Sequence, residues 1–418
     1  MLKRISVILV SLVLLISNIP PSISQPSLGL SVNTSATVDG PGRLSTGHPS
    51  QKLGFQSGGM FFIFYNDGTN YLYKSTGDGS AFTSSTIVRN FASAVRGGFS
   101  ASPSQAVAFD AVGGIVHWVG VKPHPTATST SPQVIIAYKR GTVSLSTITW
   151  EAEVDVDVNV KQELVSITVD SDGRPWIGYS ATIRANNPSG YDTNAYAIRA
   201  TNFQGTAWNN KLTLASRVGS ESYIVIPISL TGPPAARMYF LYCISRSDIS
   251  GRLWSGVALG AEETITSSSL PPHIVPPCSA SVDANSDVHL IFTRRHRQTD
   301  SFDIMYIKRA GNAWGTEFLV AQNQKFSDGV SYPASSIDPS TNTFFSIWSS
   351  SEGTKAVRRF SNGTFVVGSI PISISEGLTH GLYPSTDTLT GVKVLSLYFI
   401  NSDVSGQSVM FTTLRVTG

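Results

Sequence analysis

The chain has little of what several function classes require. Of its 418 residues, only two are cysteines and 14% are charged, and the net charge is +3. Two cysteines without a matching histidine cluster make no structural zinc site. A general nucleic-acid binder needs a strong basic excess, which is missing here. We therefore expect no metal site, no cofactor and no nucleic-acid partner.

Long apolar runs are also missing outside the N-terminus. Residues 5–16, ISVILVSLVLLI, follow two basic residues and precede the small residues Ser22 and Ser24. Twelve residues are too few to span a bilayer, which needs about 20. The arrangement predicts a signal peptide over residues 1–24, cleaved near Ser24–Gln25. The alternative is an uncleaved membrane anchor.

Removal of this segment takes away two basic residues and no acidic one, so the net charge of residues 25–418 falls from +3 to +1. We expect this mature chain to be secreted or held at the cell surface as a monomer that meets a membrane only during export. Its remaining composition, with 36 glycines and abundant serine, threonine and asparagine, is typical of strands and tight turns.

One phrase recurs along the chain. YPASSIDPSTNTFFSIW begins at Tyr332 and YPSTDTLTGVKVLSLYF begins at Tyr383, each passing through an aspartate into a β-rich run. Divergent copies begin at His48 and Tyr223, which brings the number of units to seven. The aspartate of the phrase recurs as Asp110, Asp170, Asp283, Asp338 and Asp387.

Each unit is predicted to form four strands with tight polar turns such as DSDG and DPSTN. Four strands repeated every 50–60 residues are typical of a β-propeller, whose blades bury their faces against each other. We predict one all-β domain over residues 25–418 with seven four-stranded blades; six or eight blades are the alternatives. The last unit offers three strands, so residues 29–38 are expected to supply its fourth.

A large aromatic residue recurs before the fourth strand of most units. We predict that it packs each blade against its neighbour, a structural role rather than a ligand site. The residues are Phe82, Trp150, Trp208, Trp254, Trp314 and Phe365.

The phrases VDSDGRPWIGYS and VDANSDVHLIFT, with the segments that follow them, resemble the sialidase-like, BNR-repeat class of secreted β-propellers. The resemblance covers nearly the whole mature chain as a repeat rhythm. It implies a propeller fold and places the protein among relatives that act on or bind carbohydrate.

In a propeller, the loops leading into the innermost strands share one face with the loops between second and third strands, and this concave mouth is the default ligand site. Arg294, Arg295 and His296 form the densest charge cluster there, and arginine pairs bidentately with carboxylates and phosphates. The other candidates stand at or just before innermost strands: His48, Glu163, His273, Tyr332, His380 and Tyr383.

An arginine, histidine and tyrosine mouth suits an acidic glycan. Because the sequence contains no intact catalytic signature, we expect the propeller to bind carbohydrate or another surface partner without catalysis. The alternative is a glycan-cleaving enzyme. It would be either a polysaccharide lyase with a tyrosine or histidine base, or a hydrolase that pairs Glu163 with Asp192 or Asp328. A scaffold ring within an envelope assembly is a third possibility.

The two cysteines, Cys243 and Cys278, are either a disulfide or two buried thiols. A bridge between neighbouring blades requires a Cα separation of about 4.4–6.8 Å. Asn33 in NTS and Asn362 in NGT are candidate glycosylation sites, which predicts that both lie at the surface.

Four acidic residues alternate with valines in EAEVDVDVNV. This alternation predicts that all four lie on one solvated face of an outer strand. They are Glu151, Glu153, Asp155 and Asp157.

Overall fold

The computed structural model describes residues 28–42, 52–90, 104–125, 134–159, 162–183, 192–217, 223–232, 236–244, 248–267, 278–295, 301–324, 333–338, 340–370, 379–386, 393–403 and 406–417. Within these ranges the helices and strands of the chain are all of one type, the β-strand. These strands form seven antiparallel sheets. No helix in this part of the chain is long and apolar enough to cross a bilayer.

The first strand of the chain, β1 (Gly29–Gly42), belongs to the last sheet. Sheet 1 contains β2 (Gly54–Ser57), β3 (Met60–Asn66), β4 (Asn70–Thr76) and β5 (Thr86–Asn90). Sheet 2 contains β6 (Gln105–Asp110), β7 (Ile115–Pro123), β8 (Val134–Ser144), β9 (Thr147–Trp150) and β10 (Val154–Asn159). Sheet 3 contains β11 (Gln162–Val169), β12 (Pro175–Ile183), β13 (Asp192–Arg199) and β14 (Leu212–Arg217).

The second half of the chain repeats the pattern. Sheet 4 contains β15 (Tyr223–Ser229), β16 (Met238–Ile244), β17 (Asp248–Trp254) and β18 (Glu263–Ser267). Sheet 5 contains β19 (Cys278–Val282), β20 (Val288–Arg295), β21 (Phe302–Ala310), β22 (Ala313–Trp314) and β23 (Phe318–Gln324). Sheet 6 contains β24 (Ala334–Asp338), β25 (Thr343–Ser350), β26 (Gly353–Arg359) and β27 (Phe365–Ile370). Sheet 7 contains β28 (Thr379–Thr386), β29 (Lys393–Asp403), β30 (Gly406–Thr417) and β1.

The sheets close into a ring. The first strand of each sheet is innermost and contacts the first strands of the sheets before and after it, and β2 contacts both β6 and β28. The segment expected to complete the last sheet, residues 29–38, lies within β1, which pairs with β30 so that Gly29 stands opposite Thr417. The architecture is the all-β propeller that the repeats predict.

The apolar core follows this arrangement, because each cluster of buried side chains lies between consecutive sheets. Leu28, Phe345 and Leu414 belong to a cluster that joins sheet 6 to sheet 7. Phe61 and Phe411 belong to another that joins sheet 7 to sheet 1. Each sheet therefore depends on both neighbours for the burial of its faces.

The recurring aromatic residues pack across these seams, as predicted. Each one makes an edge-to-face contact with an aromatic ring of the preceding sheet, with centroids 5.1–6.4 Å apart. The pairs are Phe82–Phe411, Trp150–Phe64, Trp208–Tyr138, Trp254–Trp176, Trp314–Tyr239 and Phe365–Tyr306.

The repeated aspartate organises the turn between the first and second strands. The carboxylate of Asp170 accepts hydrogen bonds from the backbone N–H groups of Asp172 and Arg174, both at 3.0 Å. Asp283 accepts from Asn285 and Asp287 in the same way, both at 2.9 Å. A buried aspartate suits this position because it satisfies turn N–H groups that have no strand partner. The repeated spacing of the aspartate therefore follows from the turn that it organises.

The prediction for the acidic strand was wrong in one respect. The strand, β10, is at the edge of its sheet, but a β-bulge shifts the register so that Asp155 faces Ala137 and Asp157 faces the adjacent Ile136. The extra residue of a bulge reverses the alternation of faces. Asp155 therefore pairs with Lys122 in its own sheet, whereas Asp157 pairs with the ammonium of Lys211 in sheet 3 at 2.9 Å.

Candidate ligand-binding face

The connections of the propeller separate onto two faces of the ring. Because strands alternate in direction, the segments that lead into the innermost strands lie on the same face as the connections between second and third strands; we name this the loop face. The turns between first and second strands and between third and fourth strands lie on the opposite side, which we name the turn face. The predicted ligand residues belong to the loop face.

Glu163 is the second residue of β11 and so stands at the loop-face end of an innermost strand. The register with β12 is irregular there, since Gln162 pairs with Ala181 but the next pair is Val165 with Tyr179. Such irregularities redirect residues and are frequent beside active sites. Asp192, its partner in the hydrolase alternative, is the first residue of β13 and lies at the same end of sheet 3.

His380 and Tyr383 both lie on β28, the innermost strand of sheet 7. A register shift separates them: His380 pairs with Tyr398, and Leu382 pairs with Leu397. Residues three apart on a regular strand occupy opposite faces, but the extra residue brings positions 380 and 383 onto the same face. The structure thus brings together two candidates that a regular strand would separate.

Arg294 lies near the loop-face end of β20, and its guanidinium is already engaged. It forms an ion pair with Glu317 at 2.5 Å and donates a hydrogen bond to the hydroxyl of Thr266, in sheet 4, at 3.0 Å. The side chain remains 33% exposed. The sequence predicts a free positive charge at this position, whereas the structure shows a charge that is partly balanced and that joins sheets 4 and 5. Arg295 follows as the last residue of β20.

Four candidates lie outside the described residues: His48, His273, His296 and Tyr332. Asp328, the other proposed partner of Glu163, does as well. The candidates that the structure describes are Glu163, Arg294, Arg295, His380 and Tyr383. All five lie in sheets 3, 5 and 7, on the loop-face side of the ring. Tyr383 is further from the loop-face end of its strand than the other four.

Cys243 and Cys278 form a disulfide that joins β16 of sheet 4 to β19 of sheet 5. Their Cα atoms are 7.3 Å apart. This is longer than the expected range of about 4.4–6.8 Å. Both cysteines are fully buried within the cluster that joins the two sheets.

Of the two sequons, Asn362 is exposed in the turn between β26 and β27, where its side-chain oxygen accepts a hydrogen bond from the N–H of Thr364 at 3.0 Å. Asn33 lies in β1, at a register shift in the pairing with β30.

The structure contains two buried histidine–tyrosine pairs that the sequence does not predict. The Nδ1 atom of His117 lies 2.7 Å from the hydroxyl of Tyr138, and that of His289 lies 2.7 Å from the hydroxyl of Tyr306. Burial lowers the pKa of each histidine from 6.5 to about 4. A signal existed, since both histidines follow the repeated aspartate of their units by six or seven residues. They lie near the start of second strands, on the turn-face side, and are 1–2% exposed, so their role is structural.

The described residues contain no group of three or more histidine, cysteine or acidic side chains arranged to hold a metal ion. The strand ends at the loop face carry acidic, basic and aromatic residues. Such a set provides hydrogen-bond acceptors for hydroxyl groups, a cation for carboxylates and rings for stacking on sugars.

No protein family model matches the chain. No curated protein is similar to it in sequence. Solved structures are similar in fold. The polysaccharide lyase Uly1 matches over 94% of this chain and 98% of its own, with a TM-score of 0.51 at 9% identity. The NanB sialidase of Streptococcus pneumoniae matches over 96% of this chain and 72% of its own, with a TM-score of 0.47 at 11% identity.

An α-L-arabinanase of Penicillium chrysogenum covers 75% of this chain and 92% of its own, with a TM-score of 0.44 at 11% identity. At these identities, a likeness describes the fold alone. The match to Uly1 extends over nearly the whole of both chains, which agrees with the propeller described above.

Proposed function

We propose that the protein is exported and binds an acidic carbohydrate at the loop face. The observation that carries the proposal is the placement of the candidate residues, because Arg294, Arg295, His380 and Tyr383 lie on strands that end at, or enter from, the same face. The match to a polysaccharide lyase along nearly the full length of both chains supports the propeller fold on which this placement depends. Ligand sites of ring-shaped β proteins lie in such concave mouths.

In this proposal each residue type has a distinct task. Arg294 and Arg295 neutralise a ligand carboxylate, and the attraction weakens as salt screens it. His380 and Tyr383, on one face of β28, contact the sugar through ring stacking and hydrogen bonds. Glu163 accepts hydrogen bonds from sugar hydroxyl groups. Because exposed charges on strand ends stabilise folds little, substitutions there should change binding more than stability.

The likeness to a lyase also favours a second candidate, cleavage of a uronate-containing polysaccharide by β-elimination. A base removes the proton beside the carboxylate, the bond from the neighbouring carbon to the glycosidic oxygen breaks, and that oxygen takes up a proton from the protonated base or from water. The products are a new reducing end and an unsaturated uronate. His380 or Tyr383 would accept the proton, with an arginine stabilising the carboxylate as negative charge develops on it.

A panel of uronate-rich, sialylated and neutral glycans, incubated with residues 25–418, tests both candidates. Retention on an acidic glycan without product supports binding alone, and ultraviolet absorbance of an unsaturated uronate supports elimination. Released reducing sugar without that absorbance would support hydrolysis instead. Failure to bind any member of the panel would overturn the proposal.

Variants then locate the site. Tyr383→Phe and His380→Ala should weaken binding to acidic and neutral members of the panel alike, whereas Arg295→Ala should affect only the acidic ones. Arg174→Ala provides a matched control, because Arg174 lies in a turn on the opposite face. Equal loss in the control would place the ligand elsewhere.

A further inference from the structure

Lys52 differs from the other lysines whose side chains the structure describes. Six others form an ion pair with an acidic side chain or a hydrogen bond to a backbone carbonyl: Lys74, Lys122, Lys139, Lys211, Lys308 and Lys355. Within the described part of the chain, the ammonium group of Lys52 has neither kind of partner. It is a positive charge that the fold does not balance.

Lys52 stands at the loop-face end of the innermost strand of sheet 1, two residues before β2. Its carbonyl accepts a hydrogen bond from the N–H of Val107, on the innermost strand of sheet 2, at 2.7 Å. The next carbonyl, that of Leu53, accepts one from the N–H of Phe64 in β3 at 2.8 Å. Successive carbonyls therefore point in opposite directions, as they do in a strand, so the alternation of faces in β2 extends back to Lys52.

This alternation places Lys52 on the side of β2 that faces away from sheet 2. Phe55 is buried and stacks on Phe109 of sheet 2, with centroids 4.4 Å apart, and Leu53 is buried as well. Lys52 and Gln56 alternate with these two residues, and both are exposed. They therefore lie on the opposite face, towards sheet 7, whose innermost strand β28 contacts β2.

Protein surrounds the ammonium group of Lys52 although the side chain is exposed. Desolvation by this surrounding protein lowers the pKa of Lys52, because the charged form loses hydration where protein displaces water. A lysine on the outer rim of the ring would keep its hydration. The combination of exposure and desolvation therefore indicates that the side chain lies in the central opening, the space enclosed by the innermost strands.

An unpaired cation in such a place opposes folding, because it loses water without gaining a counter-ion. Titratable groups perturbed in this way are concentrated at binding and catalytic sites. A bound anion would supply the missing partner. A carboxylate suits this role, since an ammonium group offers three N–H donors and a carboxylate only acceptors.

We propose that Lys52 binds a carboxylate group in the central opening, between sheets 1 and 7. A carboxylate-bearing sugar held there would lie beside β28, which contains His380 and Tyr383. The identity of the ligand as an acidic sugar rests on the proposed function. A small free carboxylate is the other source of the same chemistry, and the experiment separates the two.

Amine labelling of residues 25–418 tests the site directly. A dilute acetylating reagent near neutral pH modifies neutral amines, and peptide mass spectrometry gives the rate at each lysine. Lys52 should react faster than Lys211, whose side chain is 34% exposed and forms an ion pair with Asp157 at 2.9 Å. Saturating acetate or glucuronate should slow the labelling of Lys52 by about tenfold, because a bound carboxylate raises the pKa of an amine by a unit or more.

Glucose should leave the rate at Lys52 unchanged, and none of the three compounds should affect Lys211. Slow labelling of Lys52 in the free protein would show that its amine is not accessible and would overturn the proposal. Labelling that neither carboxylate slows would overturn it too.

Variants provide a second readout. Lys52→Met removes the charge and should weaken binding of an acidic glycan by about tenfold or more, whereas Lys52→Arg should retain most of the affinity. Because Lys52→Met also removes a desolvated charge, its denaturation midpoint should not fall. Lys211→Met is the matched control and should bind normally. A destabilised Lys52→Met variant, or one that binds like the wild type, contradicts the proposal.

This proposal and the proposed function fail separately. If acetate and glucuronate protect Lys52 but no glycan binds, the proposed function is wrong and the site takes a small free carboxylate. If an acidic glycan binds and the labelling of Lys52 does not change, the proposed function stands and the site at Lys52 is refuted.

Discussion

The indole N–H of Trp314 donates a hydrogen bond to the hydroxyl of Tyr239 across the seam between sheets 5 and 4, at 3.0 Å. The same hydroxyl donates to Glu263 at 3.0 Å, and Arg309 binds that carboxylate through two nitrogens at 3.1 and 3.2 Å. The guanidinium of Arg309 also lies over the ring of Tyr239, 4.6 Å from its centroid. One aromatic residue of the repeat thus completes a polar network that joins two sheets.

Trp314→Ala should lower the free energy of unfolding by about 3 kcal/mol, near the lower end for a buried aromatic because the side chain is partly exposed. Trp314→Phe keeps the ring contact and loses only the hydrogen bond, so it should cost about 1 kcal/mol. Denaturant unfolding measures both values. If the two variants prove equally stable, the ring contributes nothing to the seam. Phe203→Ala, which removes an exposed ring, is the control.

Acid should destabilise the protein through His117 and His289. Burial holds the pKa of each at about 4 in the folded state, against about 6.5 when unfolded. The unfolded chain binds more protons between these values, so stability is complete above pH 6.5 and declines as the pH falls towards 4. The full effect is about 3 kcal/mol for each histidine.

Unfolding measured across this pH range should show that slope in the wild-type protein. His289→Gln removes one titrating group and should reduce the slope by about half, although it also lowers stability at neutral pH. A wild-type stability that stays constant from pH 6.5 to 4 would falsify the assignment.

The disulfide should contribute to stability through the loop that it closes. Cys243 and Cys278 are 35 residues apart, and a loop of that length is worth about 4 kcal/mol in the chain-entropy model. Reduction, or the double substitution to alanine, should lower the denaturation midpoint accordingly. Titration of thiols in denatured, unreduced protein provides the direct check, and two reactive thiols would exclude the bridge.

Glu317 should restrain the affinity of the loop face for anions. Its ion pair with Arg294 partly balances that guanidinium, so Glu317→Gln should raise affinity for an acidic glycan, and the double variant R294A/R295A should lower it. Both changes should cost no more than about 1 kcal/mol of stability, because the pair is partly exposed. Affinities at two salt concentrations distinguish this charge effect from damage to the fold. Unchanged affinity in both variants would place the anion away from β20.

Gly368 should be intolerant of a side chain. A Cβ atom there would lie 2.5 Å from the backbone oxygen of Leu28, on the seam between sheets 6 and 7. Gly368→Ala must therefore displace the chain that leads into β1. Hydrogen exchange should accelerate in β1 before it does in β16, and Gly260→Ala, whose nearest backbone contact is 3.2 Å, should have a smaller effect. Unchanged exchange in β1 would mean that this approach does not hold the closing strand.

The sequence alone determined the repeat and therefore the fold. Alternating β-rich strands and polar turns are local signals, and the spacing of Asp170, Asp283 and Asp338 follows from turn geometry within each unit. The aromatic residues of the seams were also predictable, since a unit with two apolar faces must bury both against its neighbours. Even the pairing of residues 29–38 with the last unit followed from a count of strands.

The tertiary structure decided what depends on register and on contacts between units. A single bulge places Asp155 and Asp157 on opposite faces of β10, and another places positions 380 and 383 on the same face of β28. In both strands one inserted residue reverses the two-residue alternation of faces, which the sequence shows as unbroken. The partner of Arg294 could not be predicted either, since Glu317 lies 23 residues away and meets it only in the folded sheet. Long-range pairing of this kind is set by the packing of neighbouring strands and sheets, which no local pattern records.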